Sequence, residues 1–160
     1  MEPEMAARVN RGERSATCAI SNAANARRAD GVEVVGLAVG EPGFPTPQPS
    51  VDAAKAALGA GHTGYTTSAG IMPLREAIVE KLSADGIDAH PDEIIVTPGG
   101  KQALYEIFQA FIDDGDEVVL LDPAWVSYEA MATLAGASLT PVDTPPYDFQ
   151  LAPALGALAA

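Results

Sequence analysis

The chain has 160 residues, 48% of them hydrophobic, which is enough for a folded domain with a core and excludes a disordered tract. Its 22 acidic residues against 9 basic ones give a net charge of −13, which repels phosphate backbones and argues against a nucleic-acid partner. Cys18 is the single cysteine, so no internal disulfide forms and a reducing, cytoplasmic setting fits.

No apolar run is long enough to span a membrane. The opening Met1-Glu2-Pro3-Glu4 lacks the charge pattern of a signal peptide. Residues 1–15 are polar and read as a loose arm. Ser15 is placed to cap a helix from Ala16 to Ala29, with Arg27 and Arg28 in its last turn, where cations suit the helix dipole, and Asp30-Gly31 beyond it. Cys18 lies in this alanine-rich run and reads as a small packing residue. Val34 to Val39 is a brief apolar run, expected to be a short strand.

Gly40-Glu41-Pro42-Gly43-Phe44-Pro45-Thr46-Pro47 follows, and its three prolines and two glycines forbid regular structure. So constrained a path is either the stiff loop of a binding site or a structural crossing. A helix is expected from Ser50, as its cap, to Leu58. Gly59-Ala60-Gly61-His62-Thr63-Gly64 has the spacing of a dinucleotide fingerprint, but it follows a helix and leads into Tyr65-Thr66-Thr67, so it reads as a helix stop and loop. Pro73 sits in the first turn of the next helix, which has Leu74, Ala77, Ile78 and Leu82 on an apolar face, Arg75 toward solvent, and Asp85-Gly86 as its stop. His90 precedes a proline on a polar connector and is given no role; His62 and His90 share no metal spacing.

The chain then reads as strand, helix, strand. Ile94-Ile95-Val96-Thr97 is apolar and β-branched, and Pro98-Gly99-Gly100-Lys101-Gln102 hands it to a helix whose Ala103, Leu104, Ile107, Phe108 and Phe111 recur at helical spacing. Asp113-Asp114-Gly115-Asp116 is turn chemistry, and Val118 to Leu121 is a second strand, so a crossover in a parallel sheet is expected. After Trp125 a helix runs from Val126 to Leu134, ending at Gly136. Ser138 to Val142 is a third strand, and Leu151 to Ala160 a short alanine- and leucine-rich piece. Backbone N–H groups at a helix start lack intrahelical partners and carry partial positive charge, so Gly99-Gly100-Lys101 reads either as a seat for a phosphate or as a bare tight turn. It is not a nucleotide P-loop: Ile95 stands where the first glycine belongs, and Gln102 where the Ser or Thr belongs.

In order, Gly40-Glu41-Pro42, Phe44 with Thr46-Pro47, Tyr65, Gly70-Ile71, Leu74-Arg75, Gly99-Gly100-Lys101-Gln102-Ala103-Leu104, Gly115-Asp116-Glu117-Val118 and Pro123-Ala124-Trp125-Val126-Ser127-Tyr128 resemble the N-terminal part of class I/II pyridoxal-phosphate aminotransferases, near the aspartate aminotransferase type. Each motif alone is weak; their order is specific. The resemblance implies an α/β fold, a three-layer αβα with a partial, mainly parallel sheet. Residues 1–33 would be an N-terminal arm and helix, and 34–160 a truncated part of the cofactor-binding large domain. It implies pyridoxal 5′-phosphate as cofactor, its phosphate held at Gly99 and by the amides of Gly100 and Lys101, its ring stacked on Trp125. Gly40 and Trp125 would meet the substrate, an amino acid or a 2-oxo acid. Tyr65 would reach the cofactor of the neighbouring subunit in a homodimer.

The family's catalytic lysine stands in a Ser-Lys context beyond the span of the resemblance. Lys55, Lys81 and Lys101 are the only lysines here and none has that context, so the chain is expected to be an inactive fragment on its own. No catalytic residue is assigned. A non-catalytic phosphate-binding module, or part of another enzyme of the same fold such as a carbon–sulfur lyase, are the alternatives.

Overall fold

In a computed structural model of the chain, residues 4–11, 16–38, 40–145 and 148–156 are described; Ser15, Val39 and residues 157–160 lie outside them. The described residues fall into two units, one drawn from Met1–Ala38 and Gly99–Ala160, the other from Val39–Pro98.

The first unit is built on β1 (Glu117–Asp122) and β2 (Ser138–Asp143), which pair in parallel from Glu117 opposite Ser138 to Asp122 opposite Asp143. They are joined by α5 (Val126–Ala135), a helix of the kind a parallel connection requires. Earlier come α1 (Ala16–Ala29) and α4 (Gly100–Phe111), and α6 (Leu151–Gly156) comes last. The α5 helix packs on both strands, on α4 and on a short helical turn at Ala7–Asn10. The core is small: Met131 and Ala132 of α5 and Val142 of β2 are buried beside Thr144. Thr144 is satisfied there, its N–H (2.9 Å) and hydroxyl (2.7 Å) both donating to the Asp122 carbonyl. On β1 the side chains alternate, with Val118 and Leu120 half-buried and Val119 and Leu121 exposed. One face of this sheet is therefore open, whereas parallel sheets are normally covered on both.

The mainly parallel α/β reading holds, but among the described residues the sheet has two strands rather than three. Residues 94–97 are extended without a ladder, and the Val96 N–H donates to the Ala69 carbonyl at 3.0 Å instead. The described part of the 34–39 run is likewise not a strand. A β-branched apolar run becomes a strand only where a neighbour offers a matching series of N–H and C=O groups, and among the described residues neither run pairs in a ladder. The apolar face expected on α4 is only partly covered: Ala103, Leu104 and Phe108 are half-buried, but Ile107 and Phe111 are exposed. Cys18 is exposed rather than buried.

Gly136 ends α5 in a left-handed conformation (φ 95°, ψ 9°), with the Ala137 N–H closing on the Ala132 carbonyl. A side chain has no room there, because a Cβ would fall 1.8 Å from Asp114 Oδ1 and 2.9 Å from an Arg11 nitrogen. Those two groups form an ion pair at 2.6 Å that ties the N-terminal turn to the segment before β1. The Arg11 guanidinium holds the Asp114 carboxyl below the usual aspartate range, first through the hydrogen bond and then through its charge. A lowered folded-state pKa means this tie is present at neutral pH and is lost as pH falls through that lowered value. The Gly136→Ala chain is expected to lose about 1–2 kcal/mol in urea denaturation from left-handed strain alone, and its Cβ also displaces the Asp114 carboxylate.

The second unit holds α2 (Gln48–Gly59) and α3 (Met72–Ala84). The α2 helix begins before Ser50, which is not its cap; Pro47 precedes the helix and no side chain caps it. A proline in the first turn fixes φ and has no N–H to satisfy, so the start moves toward it. Arg75 also departs from expectation. It is buried, with 8% exposure, because its Nε donates to the Pro91 carbonyl at 2.7 Å and its terminal nitrogen to Asp92 at 3.0 Å. His90 has a role too: it caps the turn at Pro91–Glu93, accepting from the Asp92 N–H at Nδ1 while its own N–H donates to Glu93. Arg75→Met keeps the stem but strips both bonds, and is expected to cost about 1–2 kcal/mol, read as a lower denaturation midpoint.

Candidate functional site

The site starts from the backbone of Gly99. Its φ of 94° and ψ of 158° lie in a region open essentially to glycine alone, and this turn aims the chain into α4. No side chain caps the helix. Its earliest backbone bonds run from the Gln102 and Ala103 N–H groups to the Gly99 carbonyl, at 3.2 and 3.4 Å. The N–H groups of Gly100 and Lys101 therefore stand ahead of the helical ladder, where partial positive charge collects. A Cβ built on Gly100 meets nothing within 4 Å outside its own helix backbone and chain neighbours.

Trp125 lies just past the C-terminal end of β1, after a cis Asp122–Pro123 bond, and immediately precedes α5. Ligands in sheets of this class bind beyond such strand ends. The indole is 43% exposed. The Lys101 ammonium lies over it, 5.0 Å from the ring centroid, within cation–π range. Tyr128, one helical turn on, meets the indole edge-on, with centroids 5.5 Å apart and planes at 88°. Gly99, Gly100, Lys101 and Trp125 are thus brought together in one unit: an open helix start, a cation and an aromatic face.

Tyr65 and Gly40 belong to the other unit. Tyr65 is fully exposed on the loop after α2, and Gly40 is exposed with open space around it. Two features of the site escape sequence reasoning. The Lys101 side chain reaches the indole, where only its amide is expected to act. Tyr128 braces the same ring, a contact signalled by its spacing three residues after Trp125. Among the described residues no group of three or more His, Cys, Asp or Glu side chains is placed to hold a metal, and no helix is long and apolar enough to cross a membrane.

The sequence profile described as aminotransferase class I and II matches residues 32–154, which include every residue of this arrangement. The chain belongs to the class I and II aminotransferase family. Members of this aminotransferase family generally depend on pyridoxal phosphate. The chain is 47% identical over 140 residues to the aspartate/prephenate aminotransferase of Thermus thermophilus, covering 87% of this chain and 36% of that protein. It is 49% identical over 123 residues to the aspartate aminotransferase of Geobacillus stearothermophilus, covering 76% of this chain and 31% of that one. The solved structure of Thermus thermophilus aspartate aminotransferase with maleate superposes with a TM-score of 0.92 at 43% identity, over 99% of this chain and 42% of that chain. The chain thus spans about a third of the length of the curated aminotransferases it matches.

The residues present fit the phosphate and ring of the family's cofactor. The donor set ahead of α4 suits an oxyanion, and an aromatic surface lies within reach of the Lys101 side chain on the same turn.

Proposed function

We propose that this chain forms the phosphate- and ring-binding part of a pyridoxal-phosphate aminotransferase, an enzyme that moves an amino group between an amino acid and a 2-oxo acid. The observation that carries this reading is the Lys101 ammonium over the Trp125 indole at 5.0 Å, because it sets the start of α4 beside the aromatic surface. The relatives' names favour a dicarboxylic amino acid such as aspartate as the donor.

In this reading the Gly100 and Lys101 amides hold the phosphate, with Gly99 shaping the turn. An anion at an exposed helix start gains only about 0.3–1 kcal/mol from the dipole, so direct hydrogen bonds and the ring contact supply most of the affinity. The exposed face of Trp125 takes the ring and meets the substrate; the family resemblance separately gives the Gly40 N–H a substrate contact. Tyr65 reaches the phosphate bound to a second copy, which makes the working form a homodimer. Residues 34–160 belong to the cofactor domain, and residues 1–33 are its arm and leading helix. The cofactor, when bound, supplies the electron sink for a carbanion at the substrate's α-carbon. The chain's own part is to hold the phosphate, orient the ring and exclude water from one face. The cytoplasm is the compartment that fits its lone cysteine.

The test is an absorbance titration of the 160-residue chain with pyridoxal phosphate, with an amino-transfer assay using aspartate and a 2-oxo acid. Saturable binding without turnover is expected, since Lys55, Lys81 and Lys101 stand outside a Ser-Lys context. An absence of saturable binding contradicts the reading; sustained transamination contradicts the assignment of the catalytic lysine elsewhere.

A further inference from the structure

We propose that Tyr128 is a positioning residue for the cofactor ring: it holds the Trp125 indole in one orientation, so that the aromatic surface is set before a ligand arrives. This rests on the cofactor reading above, in which Trp125 carries the ring. Trp125 stands at the N-cap of α5 without a capping hydrogen bond, and its indole is 43% exposed. A side chain so placed has several staggered rotamers open to it, and the cap itself selects none of them. Tyr128 supplies the selection from one turn along the chain. Its backbone N–H donates to the Trp125 carbonyl at 3.0 Å, and its ring meets the indole with centroids 5.5 Å apart and planes at 88°.

The hold is rigid because Tyr128 is itself anchored. It is half-buried, and the next turn of α5 carries Met131 and Ala132, 5% and 0% exposed, into the small core. Lys101 also lies 5.0 Å from the indole centroid, but at the end of a flexible stem that fixes no angle. An edge-to-face aromatic pair favours its own geometry about two- to tenfold beyond the effect of the area it buries. A ligand binds only the fraction of molecules whose platform is in place, so its apparent affinity falls in proportion to that fraction. Losing the Tyr128 ring therefore weakens a ring ligand about two- to tenfold while leaving every atom of the indole present.

Affinity for pyridoxine 5′-phosphate, which cannot react with amines, is measured by equilibrium dialysis in the unmodified 160-residue chain, Tyr128→Phe and Tyr128→Leu, each also in a Trp125→Ala background. Tyr128→Leu should weaken binding about two- to tenfold and flatten the tryptophan band of the near-ultraviolet circular dichroism. Tyr128→Phe keeps the ring and should retain both. In the Trp125→Ala background Tyr128→Leu should change the affinity by less than about twofold, because its effect passes through the indole. Trp125 is the only tryptophan, so ¹⁵N relaxation of its indole N–H in the ligand-free, unmodified chain reads the hold directly and should match the backbone of α5. A mobile indole there, an equal loss in both backgrounds, or a loss in Tyr128→Phe as large as in Tyr128→Leu overturns the positioning role and leaves the cofactor reading standing. Unchanged affinity in Tyr128→Leu does the same. If the unmodified chain does not bind the ligand saturably, both fail.

Discussion

Replacing Gly99 by alanine is expected to cost about 1–3 kcal/mol of stability and to weaken binding of pyridoxal phosphate tenfold or more. The cause is backbone geometry rather than lost contact. At φ 94° and ψ 158° a Cβ is strained against its own backbone, so the turn relaxes toward a negative φ. That rotation re-aims the Gly100 and Lys101 N–H groups, the pair proposed to hold the phosphate. Gly100→Ala is the control. Its Cβ would enter open space at a helical position, so stability should rise by about 0.4–1 kcal/mol. Urea denaturation of both variants, beside a cofactor titration, checks this. Equal effects at the two positions would remove the special role given to Gly99.

Trp125→Ala should leave the fold nearly intact and weaken the cofactor tenfold or more. The indole is 43% exposed, makes no capping hydrogen bond, and lies against Lys101 and Tyr128. Its removal should cost about 1 kcal/mol or less in stability. An aromatic surface that a bound ring covers is worth considerably more to the ligand, about 1.5–3 kcal/mol. Trp125→Phe keeps a flat face and should recover most of that affinity, to within about fivefold of the unmodified chain. Large destabilisation by Trp125→Ala with unchanged affinity would make the residue part of the core instead.

The sequence shows clearly what local chemistry decides. Arg27-Arg28 and Asp30-Gly31 mark the end of α1, Asp85-Gly86 that of α3, and Gly136 that of α5, because dipole and left-handed termini depend on neighbours within a turn. The glycine pair before α4 and the Trp after β1 are legible for the same reason. Features that depend on a distant partner are not. Residues 94–97 have the composition of a strand, but a ladder is a property of two segments, and Val96 finds the Ala69 carbonyl instead. Arg75 reads as solvent-facing from its helical position, yet its guanidinium reaches residues 91 and 92, so its burial follows from where that turn passes. The cation over Trp125 is hidden likewise, since α4 and α5 must pack before Lys101 can find the ring.

The amides opening α4 and the Trp125 indole are proposed to face one ligand together, and pyridoxine 5′-phosphate titrated into the ¹⁵N-labelled chain reads both at once through their amide and indole resonances. The Gly100 and Lys101 amides and the Trp125 indole N–H should shift together with a single dissociation constant. Saturable shifts confined to other residues, or different constants for the amides and the indole, would contradict it.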